Sequence, residues 1–196
     1  MFDRDLDLAL DAARLGHESG MAELWHALNP LLLRYLRVIV DQSAEDVASE
    51  TWLQAARDVR GYRGNAAGFR VWLFRVARHR ALDELRRTGR RLEEPAGLSA
   101  AEYLIAPDDP AGEAIERLAT HRALRLIAGL PPDQAEAVLL RAVAGLDVAQ
   151  TATVLGKRPG AVRVAAMRGL RRLGTILAAE QGLPIGAEAA ASEVAQ

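Results

Sequence analysis

Apolar residues recur along most of this chain at spacings of three and four, and no alternating β-branched run breaks the pattern. That periodicity predicts a protein built almost wholly of helices. Residues 4–15 make a first amphipathic helix. A longer one runs from Ala22 to about Val40, with Trp25, Leu28, Leu32, Tyr35, Leu36 and Ile39 on one side. Pro30 lies inside it, lacks an amide donor and implies a break or kink. Ser43 reads as the N-cap of the next helix, with Asp46 three residues on as a variant capping box. That helix, Ala44 to about Val59, puts Val47, Thr51 and Ala55 on one face with Trp52 beside them. Gly61, Gly64 and Gly68 mark 61–68 as a loop. A helix from about Phe69 to Arg87 comes next, with Phe69, Leu73, Val76 and Ala77 as its buried stripe.

Periodicity is lost over 88–112, where Gly89, Pro95, Gly97, Pro107, Asp108, Asp109 and Pro110 give the composition of a linker. Beyond it a helix runs from near Glu113 to about Ala128. Leu130-Pro131-Pro132 stops it and starts another, with Ala135, Val138, Leu139 and Ala142 facing inward. Gly145 ends that helix. Asp147 caps a short one, with Gln150 completing a capping box, and this helix ends at Leu155-Gly156. Pro159 opens the last helix, which runs to about Leu177. The expected fold class is therefore all-α: two small helical domains, 1–88 and 113–178, joined by a flexible linker at 89–112. The C-terminal domain carries a helix-turn-helix, and a tail at 179–196 is expected to be disordered.

Composition changes the picture little until charge is resolved along the chain. Half of the 196 residues are apolar and 26% are charged, an ordinary globular balance. The net charge of −1 argues, taken alone, against a polyanionic partner. Segments reverse that. Residues 57–91 hold eleven arginines against three acids, net +8, and residues 141–175 hold seven basic residues against one acid, net +6. Residues 1–56 and 92–140 are each −6, and 176–196 add three acids. Two basic segments alternating with acidic ones suggest two contacts to a polyanion. Of the 25 basic residues only Lys157 is a lysine, and arginine suits phosphate well. The absence of cysteine excludes disulfides, thiol nucleophiles and Cys-ligated metal, and fits a reducing cytosol. The acidic N-terminus lacks a signal peptide's basic and apolar regions. The longest apolar stretch, Leu31 to Val40, is interrupted by Arg34 and Arg37 and is too short to span a bilayer. A cytoplasmic protein with no membrane partner is expected.

Candidate chemistry sits on the two basic segments. Residues 147–173 have helix-turn-helix spacing. On the second helix Val162, Ala166, Gly169, Leu170 and Leu173 form the inward stripe. Val164, Arg168 and Arg171 lie opposite, flanked by Arg163 and Arg172. Lys157 and Arg158 stand in the turn, where helix amides already favour phosphate. Such a helix fits the major groove, with arginine reading guanine or holding phosphate; a plain helical hairpin with a basic face is the ordinary alternative. On the helix 69–87, Trp72, Arg75, His79 and Arg86 fall close to one line, flanked by Arg78, Arg80 and Arg87. An aromatic ring among cations can stack bases and pair phosphates of a single strand, and the glycine-rich loop before it can accept a flipped base. The alternatives are a core tryptophan and a salt link between His79 and Asp83. No nucleotide-binding, nucleophile-elbow or HExxH motif is present, so neither catalytic residues nor a cofactor or metal is expected.

Three stretches, SAEDVASETWLQAARDV (43–59), GFRVWLFRVARHRALDELRR (68–87) and LPPDQAEAVLLRAVAGLDVAQTATVLGKRPGAVRVAAMRGLRRL (130–173), resemble the most recognisable segments of sigma-70 family transcription factors. The short two-domain layout resembles the extracytoplasmic-function (ECF) type, over roughly residues 20–88 and 113–175. The resemblance implies a subunit that directs core RNA polymerase to promoters and assists melting. It implies contact with the polymerase clamp through Asp46, Ser49, Glu50 and Leu53. It implies −10 recognition through the loop 61–68, with Arg63 and Asn65, and the helix carrying Trp72, Arg75, Arg78, His79, Arg86 and Arg87. It implies −35 recognition through Lys157, Arg158, Arg163, Arg168, Arg171 and Arg172. Partners would be core polymerase (clamp and flap), promoter DNA and, as often in the family, an anti-sigma factor. His79 stands where members often carry Asn, Ser49 where they carry Gln, and Val164-Ala165 where they frequently carry Ser-Arg. The last departure replaces polar −35 candidates by apolar ones, so no promoter sequence carries over. The competing expectation is a polymerase-independent helix-turn-helix regulator, which would leave the 57–91 patch idle.

Overall fold

The computed structural model of the 196-residue chain describes residues 2–89 and 112–180. Eight α-helices make it up, with no strand among the described residues: α1 (Phe2–Arg14), α2 (Glu18–Val40), α3 (Ala44–Asp58), α4 (Ala66–Arg87), α5 (Gly112–Ala128), α6 (Pro132–Val138), α7 (Val148–Leu155) and α8 (Pro159–Glu180). The linker segment 90–111 and the tail from 181 lie outside the described residues, and with them the expectations of flexibility and disorder.

In the first group α2 is the axis. Leu24, Leu28, Leu32, Tyr35 and Leu36 are fully buried, and α1, α3 and α4 pack around this helix. Pro30 does not interrupt it, since α2 is continuous across 23 residues. Packing of the flanking leucines outweighs one lost hydrogen bond, as tertiary contact routinely overrides propensity. Trp25, expected on the apolar side, is exposed and meets the ring of His26 edge-on. Ser43 does not cap α3. A 3-10 turn at Asp41–Ser43 leads into the helix, and the Ser43 hydroxyl donates instead to Glu84 Oε1 at 3.3 Å. The glycine-marked loop is shorter than its spacing suggests: a 3-10 turn covers Val59–Gly61, and α4 already begins at Ala66.

In the second group the caps form as the sequence dictates. Asp147 and Gln150 make a reciprocal capping box, each bond 2.8 Å. Gly156 ends α7 with φ of +64°. Between α6 and that cap the backbone widens into a π turn, Leu139–Val143, closed by the Ala144 amide on the Leu139 carbonyl. The wider turn rotates the residues after it relative to an ideal helix. Ala142, expected inside, is exposed, while Leu140 and Ala144 are buried. Gly169 lies where α8 crosses α6, and a Cβ there would stand 2.8 Å from Val138 Cγ2. Leu170 lies to one side of the Val162–Ala166–Gly169 line and is exposed rather than inward, while Leu173, a turn further on, still packs on the core.

The two groups share one core. α7 packs on α4, and α5 and the π turn pack on α2. This contact explains why Phe74, which lies off the predicted α4 stripe, is fully buried beside Tyr35, while Val76 is only half-buried.

Candidate nucleic-acid interface

The C-terminal basic surface is the simpler of the two. With Val162, Ala166 and Gly169 turned to the core, α8 turns Arg163, Arg168, Arg171 and Arg172 to solvent. None of these four makes an ion pair among the described residues, and neither does Arg158. Lys157 is different: its ammonium sits 2.5 Å from Asp133. Val164 and Met167 are exposed on the same helix. The sequence pattern identified Val164 on this outer side and missed Met167. A bare guanidinium row flanked by apolar side chains can hold phosphates and meet thymine methyls.

The N-terminal basic surface is built in layers. Asn65 caps α4 by accepting from the Gly68 amide at 2.9 Å, which leaves its amide hydrogens outward. Arg63 is exposed beside it and leans on the carbonyls of Arg60 and Tyr62. Tyr62, Phe69 and Trp72 form one aromatic cluster, with ring centroids 5.4 Å, 5.5 Å and 6.1 Å apart. Burial raises the Tyr62 phenol above its ordinary pKa. Trp72 is thus half-buried: part core, part available face. Arg75, His79, Arg86 and Arg87 are exposed. The alternative of a salt link from His79 to Asp83 is not what forms: Asp83 pairs with Arg86 at 2.6 Å. Arg87 pairs with Glu84 at 2.6 Å, and Arg80 donates to Glu50 at 2.7 Å and to Gln54 at 3.0 Å.

Arg78 is occupied otherwise. Its Nε and Nη2 donate to the two carboxylate oxygens of Glu136 at 2.9 and 3.1 Å, and the Tyr35 hydroxyl donates to Glu136 Oε1 at 3.1 Å. Glu136 is on α6, so this network bridges the two helical groups. It is buried, with side-chain exposures of 15% for Arg78 and 4% for Glu136. Burial, and then the Glu136 charge, push the Tyr35 phenol well above its ordinary range. Burial by itself would lower Arg78, but the hydrogen bond and charge of Glu136 outweigh it and hold the guanidinium above its usual value. Sequence reasoning missed this network. Its one signal was a lone carboxylate in the apolar run 135–140.

On α3, Asp46, Ser49, Glu50 and Leu53 fall at i, i+3, i+4 and i+7 and share one exposed face. An exposed leucine among acids is the composition of a protein-contact surface. Among the described residues no group of three or more His, Asp or Glu is placed to hold a metal ion, and no helix is long and apolar enough to cross a membrane.

Comparison with known proteins gives a consistent picture. A sigma-70 region 2 model matches residues 24–91, and a sigma-70 region 4 model matches residues 120–173. The ECF RNA polymerase sigma factor BldN of Streptomyces coelicolor is 33% identical over 172 residues, spanning 86% of this chain and 64% of that protein. The ECF RNA polymerase sigma factor SigD of Mycobacterium tuberculosis is 34% identical over 174 residues, spanning 86% of this chain and 82% of that protein. The solved structure of CnrH in complex with the cytosolic domain of CnrY superposes with a TM-score of 0.61 at 22% identity, over 89% of this chain and 99% of that one. It has the same fold.

Proposed function

This chain belongs to the sigma-70 family, in its ECF branch, and from that premise we propose that it directs core RNA polymerase to promoters and helps to open them. The observation that carries this reading is the outward placement of two separate arginine surfaces, on α4 and α8, together with a third, acidic and apolar face on α3. A polymerase-independent regulator has use for α8 alone. Residues 1–88 serve as the region 2-like domain and 113–178 as the region 4-like domain, tied by 89–112.

Arg63, Asn65, Trp72, Arg75, His79, Arg86 and Arg87 meet the −10 element, and Arg78 joins them once Glu136 releases it. Bases stack on the Trp72 side of the aromatic cluster, while the cations hold phosphates. Lys157, Arg158, Arg163, Arg168, Arg171 and Arg172 meet the −35 element in the major groove. Asp46, Ser49, Glu50 and Leu53 dock on the polymerase clamp. The role is that of a regulator, not a catalyst, exercised in the cytoplasm, and an anti-sigma factor is the expected inhibitor. Each basic surface alone binds weakly, and joining them raises affinity through effective concentration.

Run-off transcription on genomic fragments, with core polymerase and this protein, tests the reading. A promoter-dependent transcript is expected. None, with a core that another sigma factor renders active, overturns it. Tight binding to a palindromic operator without polymerase would favour the regulator instead.

A further inference from the structure

The loop that precedes α4 has a composition that opposes a single shape. Gly61 ends a 3-10 turn, and Tyr62, Arg63, Gly64 and Asn65 connect it to a helix; glycine loses more freedom on ordering than any other residue. Yet this loop is held at several points, largely by one element, α1. Asp7 Oδ1 accepts from the Ala66 amide at 2.6 Å, taking one of the donors that a helix start leaves unpaired. Arg14 donates to Asp11 at 2.7 Å and also to the Gly64 carbonyl. The same guanidinium lies 5.6 Å from the Tyr62 ring centroid, within cation–π range. Tyr62 in turn is seated against both Gly64 and Gly68, where a Cβ would stand 2.7 Å from its hydroxyl oxygen. Gly64 has φ of +151°, a conformation that side chains disfavour.

Asp7, Asp11 and Arg14 fall at i, i+4 and i+7 and share one side of α1. Leu6, Ala9, Leu10 and Ala13 fix that helix in the core. The polar side is therefore carried by a rigid support. Packing explains the apolar stripe but not a capping carboxylate and a forked guanidinium aimed at a loop some fifty residues away.

We propose that Asp7 and Arg14 are positioning residues, by which α1 sets the shape of the 61–65 loop so that Arg63, Asn65 and the Tyr62–Trp72 ring cluster meet DNA bases in fixed geometry. This rests on the reading that the loop faces the −10 element. A site that must select bases needs its donors held to within a fraction of an ångström by a supporting shell, and a loop with two glycines in five residues lacks that shell on its own. α1 supplies it without touching DNA.

The test uses the full chain and four variants: Asp7→Ala, Asp7→Asn, Arg14→Met and Arg14→Lys. Hydrogen exchange is measured first, on the free protein. Asp7→Ala and Arg14→Met are expected to speed exchange over 61–68 by tenfold or more, while α2 and α3 keep their protection. Transcription then uses the fragment on which the wild-type protein is active, and the same fragment with single −10 bases replaced. Discrimination between them is expected to fall at least fivefold in Asp7→Ala and Arg14→Met, with core-polymerase affinity within twofold of wild type. Asp7→Asn keeps an acceptor oxygen and is expected to retain most of both properties; Arg14→Lys keeps charge without the fork and falls between. Unchanged exchange overturns the proposal, and so does faster exchange with discrimination intact. If Arg14→Met fails to fold, the two Asp7 variants decide. A wild-type protein that yields no promoter-dependent transcript defeats the functional reading instead, and exchange still reports whether α1 holds the loop.

Discussion

α4 and α8 are both 22-residue helices rich in arginine, and by charge alone they look alike. Their arginines differ in what they are doing. On α4, Arg78, Arg80, Arg86 and Arg87 are each engaged by a carboxylate. On α8, Arg163, Arg168, Arg171 and Arg172 meet no carboxylate among the described residues. One surface is largely neutralised within the molecule; the other is bare. The α4 pairs also differ among themselves. Arg86–Asp83 is about three-quarters exposed on both sides, and such pairs contribute about 0–1 kcal/mol, so a phosphate displaces the acid at small cost. Arg78–Glu136 is buried, and leaving one member unpaired costs about 3–5 kcal/mol. On the proposed function Arg78 is thus available to DNA only when α6 moves away, whereas the α8 arginines need no rearrangement. A charge count gives supply; exposure and partners give availability.

The contrast can be broken at its strongest point first. Arg78→Met strands Glu136 in the contact between the two groups, and about 3–5 kcal/mol is expected to be lost from their packing. Small-angle scattering should show an expanded molecule, and the triple change Arg78→Met, Glu136→Leu and Tyr35→Phe, which leaves no member of the network unpaired, should restore compactness. A single variant as compact as wild type would mean that the buried pair does not hold the groups together. Next, Arg168→Ala or Arg171→Ala should weaken specific −35 binding by about 1–3 kcal/mol if the side chain reads a base. A uniform loss across all sequences would make it a phosphate contact. Arg86→Ala and Arg87→Ala should each lower the salt slope of DNA binding by about one, despite their carboxylate partners. Asp147→Ala removes the α7 cap and should cost about 1 kcal/mol in a denaturant melt. The smallest effect is expected from Asp83→Ala, within about 0.5 kcal/mol in stability, with stronger non-specific DNA binding because Arg86 is freed. Unchanged binding there would show that exposed pairs on α4 do not mask it.

What the sequence made legible was what local chemistry decides. The helices, the Asp147–Gln150 box, the Gly156 turn and Pro159 in the first turn of α8 depend on neighbours a few residues apart, and each formed as expected. Facing was less legible. Ideal periodicity puts Ala142 and Leu170 inward, but a π turn shifts the first and the second falls at the edge of the buried stripe. Ser43 offered a cap pattern, yet its hydroxyl turns to Glu84, 41 residues away. The candidate site obeyed the same rule. The arginines of α8 are where helical spacing puts them, while the pairing of Arg78 with Glu136 spans 58 residues and crosses between groups. The grip of α1 on the loop is likewise long-range, 59 residues from Asp7 to Ala66. No window along the chain contains both partners of such contacts.

The packing of the two helical groups also sets a length. A globule the size of the described helical groups, residues 2–89 and 112–180, has a radius of gyration of about 15 Å. Promoter elements centred near −10 and −35 are separated by about 85 Å of duplex, at about 3.4 Å per base pair. The closed arrangement cannot touch both. Any connection of 22 residues, the number from 90 to 111, spans at most about 75 Å at about 3.4 Å per residue, a limit that, with the breadth of the groups themselves, reaches across the gap. On the proposed function the Arg78–Glu136 contact is the zero mark of a molecular ruler: while it holds, the protein measures no promoter, and once it opens the length of the connection limits the widest spacing that can be read.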